Sequence, residues 1–261
     1  MSEVIVVTSG KGGVGKTTTT ANIGVGLSLL GKKVVLIDTD IGLRNLDVVL
    51  GQENRIVYDL VDIVNGDCEP QKAAIKDKRF EGLFLIPAAQ TTDKDAVTPA
   101  QMKELCEKLK KEYDFVVIDC PAGIEQGFKN AIAAADKAVV VTTPDVSAVR
   151  DADRIVGLLE RSGICDHSVI INKIRPELVK RGNMLSVEEV LSMLSIDLLG
   201  VIPDDGDVIV AATKGEPVVC EKKSLAGQGY RNICERLTGK DVHLLSLEKK
   251  GFFGKLFSKK R

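Results

Sequence analysis

The chain has 261 residues, 44% of them hydrophobic and 28% charged, and carries a formal net charge of −1. That length and apolar content allow one large α/β domain or two small ones with ample core, and the near-zero charge excludes a global field drawing the protein to nucleic acid or an anionic surface. The charge is unevenly placed, however: residues 248–261 carry six basic side chains against Glu248, a net of +5 that leaves −6 on the remainder. The six cysteines contain no C-x-x-C pair and the two histidines lie far apart. Buried, reduced thiols of a cytosolic protein are therefore expected, rather than a zinc site or a disulfide framework. The first residues already read as a strand, so no signal or transit peptide is expected, and no apolar run approaches the ~20 residues of a membrane-spanning helix.

In chain order, an apolar strand over 4–7 leads into Gly10-Lys11-Gly12-Gly13-Val14-Gly15-Lys16-Thr17 and then a helix over 17–30. A second strand, 34–37, ends in Asp38-Thr39-Asp40, and a third follows at 83–86. Thr98 and Pro99 read as the cap and first position of a helix over 99–111. The strand at 115–118 ends in Asp119-Cys120-Pro121-Ala122-Gly123. Strands at 138–141, 168–171 and 198–202 then alternate with helices at 147–161 and 186–194, before a last core helix over 224–239. Near-continuous apolar runs suit parallel strands buried on both faces. Their alternation with helices predicts an α/β fold with a doubly wound, mostly parallel sheet, its ligand at the carboxyl ends of the strands. The domain is expected to span 1–239, with a connector over 240–247 and an appended segment over 248–261.

The glycine run fits the phosphate-loop pattern G-x-x-x-x-G-K-[ST], in the strand–loop–helix setting that gives the pattern its meaning. Glycines let backbone N–H groups wrap phosphates, and the helix N-terminus adds partial positive charge. Gly10, Gly12, Gly13, Val14 and Gly15 would form the cradle, Lys16 would hold β- and γ-phosphates, Thr17 a Mg²⁺ ion, and Thr18 a further phosphate oxygen. Asp119, at a strand's carboxyl end, has the setting of a Walker B aspartate that holds Mg²⁺ through its water shell. Of Asp38 and Asp40, one would organise Mg²⁺ waters and the other would lie near the attacking water; the pattern does not separate them. No histidine lies near these motifs to act as a base, which predicts slow intrinsic hydrolysis.

The tail holds three of the chain's seven phenylalanines. On a helical wheel Phe252, Leu256, Phe253 and Phe257 fall within an arc of about 140°. Such a helix is too short to span a bilayer but suits its interface, apolar face down, with lysines including Lys250 and Lys255 toward anionic headgroups. Being short and holding two glycines, it is marginal in water, so one tail should bind weakly and reversibly.

Lys11, in the form K-G-G-x-G-K-T, resembles the deviant Walker A motif of the MinD/ParA ATPase family. The resemblance runs through essentially the whole chain, and residues 8–18, 38–47, 119–125, 144–154, 182–185 and 200–203 carry it. It implies a P-loop NTPase of the SIMIBI type that uses ATP and Mg²⁺. In that family the signature lysine, here Lys11, reaches across a nucleotide-sandwich homodimer to the partner's phosphates. By the same resemblance, Asp38 and Asp119 hold the Mg²⁺ water shell, Asp40 orients the attacking water, Asn172 reads the adenine edge, and Pro203-Asp204 line the other side of the base. The family branch that positions the division septum implies an anionic membrane surface as partner, a MinC-like inhibitor and a MinE-like activator or other topological factor. Arg44, Asn45, Glu53, Ser147, Asp151 and Asp153 would contribute to the surfaces those partners use. Two tails on one ATP dimer would gain ~10²–10⁴ in effective affinity for the inner face of the cell membrane. The rival expectation is a ParA-like partition ATPase that binds DNA. That reading calls for basic patches on the body and no terminal amphipathic helix, whereas here the body is acidic.

Overall fold

The computed structural model describes residues 2–90 and 96–245. The expected membrane segment, including Lys250, Phe252, Phe253, Lys255, Leu256 and Phe257, lies outside the described residues. The elements in order are β1 (Glu3–Thr8), α1 (Lys16–Leu29), β2 (Val34–Asp38), α2 (Leu46–Val49), α3 (Leu60–Asn65), α4 (Pro70–Ala73), β3 (Ile75–Lys76), β4 (Leu83–Ile86), α5 (Pro99–Leu109), β5 (Phe115–Asp119) and α6 (Gln126–Ile132). They continue with β6 (Lys137–Thr142), α7 (Val146–Arg161), β7 (His167–Ile174), α8 (Pro176–Lys180), α9 (Val187–Leu194), β8 (Asp197–Pro203), α10 (Gly206–Thr213) and α11 (Leu225–Leu237).

The strands form one eight-stranded sheet in the order β3-β4-β2-β5-β1-β6-β7-β8. Every pairing is parallel except β3 with β4. From β1 near the middle, the chain winds outward through β2 and β4, returns to β5 beside β1, and then runs to the far edge through β6, β7 and β8. This reversal of winding opens a crevice at the carboxyl ends of the central strands. The fold class read from the sequence is therefore the observed one.

Strand side chains alternate between two cores, which is why the strands are apolar throughout. Val4, Val6, Val35, Ile37, Val116 and Ile118 pack with Met102, Leu105, Ala152, Ile155, Leu159 and Val190 from α5, α7 and α9. Ile5, Val7, Val34, Leu36, Phe115 and Val117 pack with Ile23, Leu27, Tyr230 and Ile233 from α1 and α11. The Thr98 cap is present as a full capping box: its hydroxyl accepts from the Gln101 N–H while the Gln101 side chain accepts from the Thr98 N–H. One composition-based expectation is corrected: Cys106, Cys120 and Cys234 are buried free thiols, but Cys165 and Cys220 are exposed and Cys68 is half-buried. Among the described residues, no helix is long and apolar enough to cross a membrane.

Candidate functional site

The loop joining β1 to α1 lies at the crevice. Gly15 caps α1 in a left-handed conformation, φ 95°, and offers no side chain to the first turn, which also lacks acidic residues. By contrast α3, α5, α7, α9, α10 and α11 all begin with a side-chain cap: Asp59, Thr98, Asp145, Ser186, Asp205 and Ser224. The N-terminus of α1 is thus left without a side-chain acceptor where an anion would sit. Gly10 is fixed by close approach: a Cβ there would fall 2.3 Å from the backbone oxygen of Asp151 on α7.

Lys16 is buried, and its Nζ donates to Asp119 Oδ1 at 3.2 Å. Thr20 Oγ1 donates to the same oxygen at 3.0 Å, while Asp119 Oδ2 is buried with no hydrogen-bond partner. Asp38 and Asp119 are register partners on β2 and β5. Asp38 is 0% exposed and accepts from the backbone N–H groups of Asp40 (2.9 Å) and Leu46 (3.2 Å). Burial, then the charge of Asp119, push its carboxyl from 3.8 up to about 7. Asp40 lies nearer the opening, half-buried, on the wall of the cleft. Asp38 and Asp40 thus differ in burial.

The cleft holds about 870 Å³ and is lined by the loop residues Lys11, Gly12, Gly13, Gly15, Lys16, Thr17 and Thr18 together with Asp40. Asn172, Lys173, Arg175, Pro203 and Asp204 also line it, so the expected base-side residues share one cleft with the phosphate loop. Arg175 is ion-paired with Asp204. Asn172 is buried, and its Nδ2 donates to the Val14 carbonyl at 2.8 Å while its Oδ1 accepts from the Lys173 N–H. Val208, Ile209 and Ala212 of α10 supply an apolar wall that was not anticipated, although the run 208–212 could have been read as one.

Lys11 stands exposed at the outer edge of the loop, and its Nζ donates to Ser147 Oγ at 2.9 Å. Ser147 in turn donates to Asp145 Oδ1 at 3.1 Å. Burial alone would raise the Asp145 carboxyl, but hydrogen bonds from Thr143, the Ala148 N–H and Ser147, with the Lys11 charge, hold it below the usual range. Of the remaining surface residues, Asn45, Glu53 and Asp153 are exposed, Asp151 is half-buried against Gly10, and Arg44 pairs with Asp47 at 2.8 Å. The structure brings Ser147 and Asp151 to the edge of the loop, whereas Glu53 sits in a separate 3₁₀ turn, Glu53–Arg55.

The residues fit a Mg²⁺–nucleotide on two counts. The donors are oxygens only, a Thr17 hydroxyl and two strand-end carboxylates, the set that suits Mg²⁺ rather than a soft metal. The orphaned Asp119 Oδ2 and the mutually repelling Asp38 would both be relieved by a cation and its waters.

A lysine-bearing phosphate loop beside two strand-end aspartates, on a doubly wound sheet, defines the class: a P-loop ATPase of the deviant Walker A type. A family model described as an AAA domain matches residues 2–162. The septum site-determining protein MinD of Bacillus subtilis (strain 168) is 57% identical over 262 residues, covering 99% of this chain and 98% of that protein. Among solved structures, the MinC:MinD cell division protein complex of Aquifex aeolicus superposes with a TM-score of 0.88 at 48% identity, over 93% of this chain and 98% of that one. MinD complexed with Mg-ADP from Pyrococcus horikoshii OT3 superposes with a TM-score of 0.82 at 30% identity, over 91% and 96%. The chain belongs to the MinD family of septum site-determining ATPases.

Proposed function

We propose that the protein is an ATP-driven membrane switch: it dimerises around ATP and holds the membrane through paired C-terminal tails. It carries a MinC-like inhibitor to select the division site and is released by slow, partner-stimulated hydrolysis. The observation that carries this reading is the position of Lys11, whose ammonium points to Ser147 at the rim. That the lysine is exposed at the mouth of the cleft supports a role toward a neighbouring copy.

Within one copy, Lys16 and the loop N–H groups would hold the phosphates, Thr18 a further oxygen, and Thr17 the Mg²⁺. Asp38 and Asp119 would hold the ion's waters, and Asp40 would orient the attacking water. A bound Mg²⁺ would neutralise charge on the β–γ bridge. Asn172, Pro203 and Asp204 would frame the base. The Mg-ADP complex of the Pyrococcus relative and the MinC complex of the Aquifex relative support the ligand and the partner.

Vesicle co-sedimentation tests the proposal. With vesicles containing anionic lipid, the full chain is expected to pellet at least tenfold more with Mg-ATP than with Mg-ADP, the scale set by two tethered weak anchors acting together. A chain ending at Leu247 is expected to stay in the supernatant. Equal pelleting with both nucleotides, or pelleting of the shortened chain, contradicts it, and ATP-dependent binding to DNA would favour the partition alternative.

A further inference from the structure

A loop that points its N–H groups at phosphates turns its carbonyls away from them, and those carbonyls need donors of their own. Here the two at the apex are satisfied from one place 158 and 160 residues later in the chain: Asn172 Nδ2 reaches Val14 O at 2.8 Å and Lys173 Nζ reaches Gly13 O at 2.7 Å. Consecutive strand residues ordinarily point to opposite faces, so both can reach the same loop only if the strand is broken. It is broken: Lys173 adopts a left-handed backbone, φ 57°, and the β7–β8 register shifts between Ile171 and Ile174. A left-handed lysine is a strained conformation that neighbouring structure must enforce. The fit is close as well, since a Cβ on Gly15 would fall 2.3 Å from Asn172 Nδ2.

We propose that Lys173 is a positioning residue which, with Asn172, clamps the phosphate loop in its receiving shape before nucleotide arrives. The same strand end ties the loop to the base end of the cleft, because the Asp204 N–H donates to Ile174 O at 3.0 Å and Arg175 pairs with Asp204. Preorganisation of this kind favours binding by removing the ordering cost from the bound state. The inference rests on the nucleotide-binding reading above.

The test uses the full chain with Lys173→Met, Lys173→Gly and Lys173→Arg. Backbone hydrogen exchange without nucleotide is expected to quicken about tenfold at the Thr19 amide, which holds the loop's Gly15 carbonyl, in Lys173→Met and Lys173→Gly, the scale of one lost charge-assisted hydrogen bond. Mg-ADP affinity should fall about tenfold in both, AMP affinity should change less than about twofold, and Lys173→Arg should recover most of the loss. Lys173→Gly should melt no lower than Lys173→Met, because glycine takes φ 57° without strain. Thr19 exchange unchanged in both variants overturns the clamp, whether or not ADP affinity falls; a fall alone would mean that Lys173 touches the ligand itself. Failure of the unaltered chain to bind ADP would overturn the nucleotide reading, and the exchange comparison would still decide the clamp.

Discussion

Between pH 4.5 and 8 the nucleotide-free protein is expected to lose about 2–4 kcal/mol of stability relative to an Asp38→Asn variant. Asp38 is fully buried, and burial followed by the charge of Asp119 raises its carboxyl from 3.8 to about 7, against the two backbone N–H groups that favour the ionised form. The folded protein therefore keeps this proton up to near neutral pH, whereas the unfolded chain loses it near pH 4. Across that window the folded state binds more protons, so raising the pH weakens folding. The contribution is complete below about pH 4 and gone once the pH has passed 7. Asparagine does not titrate, and any fixed cost of its amide beside the Asp40 and Leu46 N–H groups cancels in the slope. Urea unfolding of both proteins across the pH range measures it, and the same difference appears as roughly 5–10 °C in Tm. A flat difference would mean that Asp38 is not strained. A cation that favours the ionised form should abolish the slope, so Mg-ADP added in excess should flatten it.

Lys16→Met is expected to lower ATP turnover by about 10³-fold and to cost about 3 kcal/mol of stability without nucleotide. The first effect follows from removing the charge that would meet the developing negative charge on the phosphates. The second follows from Asp119, which is 1% exposed and would be left unpaired beside Asp38. The two effects come apart in a double variant: Lys16→Met with Asp119→Asn should regain most of the stability and none of the turnover. Turnover assays and urea unfolding of the two single variants and the double variant complete the cycle. Additive stability losses would show that Lys16 and Asp119 do not interact in solution.

Parallel strands buried on both faces announce themselves, and so the seven apolar runs read from the sequence all lie within strands of the sheet. The two-residue β3 carries no such run; it exists because Ile75 and Lys76 pair with the free edge of β4. The short helices α2, α3, α4, α6, α8 and α10 escaped because one or two turns give little periodicity, and the expected helices begin or end within two residues of those observed. Motif spacing was enough to place Lys16, Thr17, Asp38, Asp40 and Asp119 around one crevice. It could not show that Lys11 rests on Ser147, that Asn172 and Lys173 hold the loop from behind, or that Asp119 has one oxygen without a partner. Those are contacts across 136 or more residues, or consequences of burial, and no local pattern encodes them.

If ATP clamps two copies together through Lys11, as proposed, the molar mass in solution by light scattering must depend on the nucleotide. With Mg-ATP the full chain bearing Asp40→Ala, which retains the loop and would slow hydrolysis, is expected at twice the 28.1 kDa monomer mass, and with Mg-ADP at the monomer mass. Adding Lys11→Ala should return the ATP-loaded protein to a monomer while leaving ATP bound. A monomer with ATP, or a dimer that survives the loss of Lys11, would contradict the account.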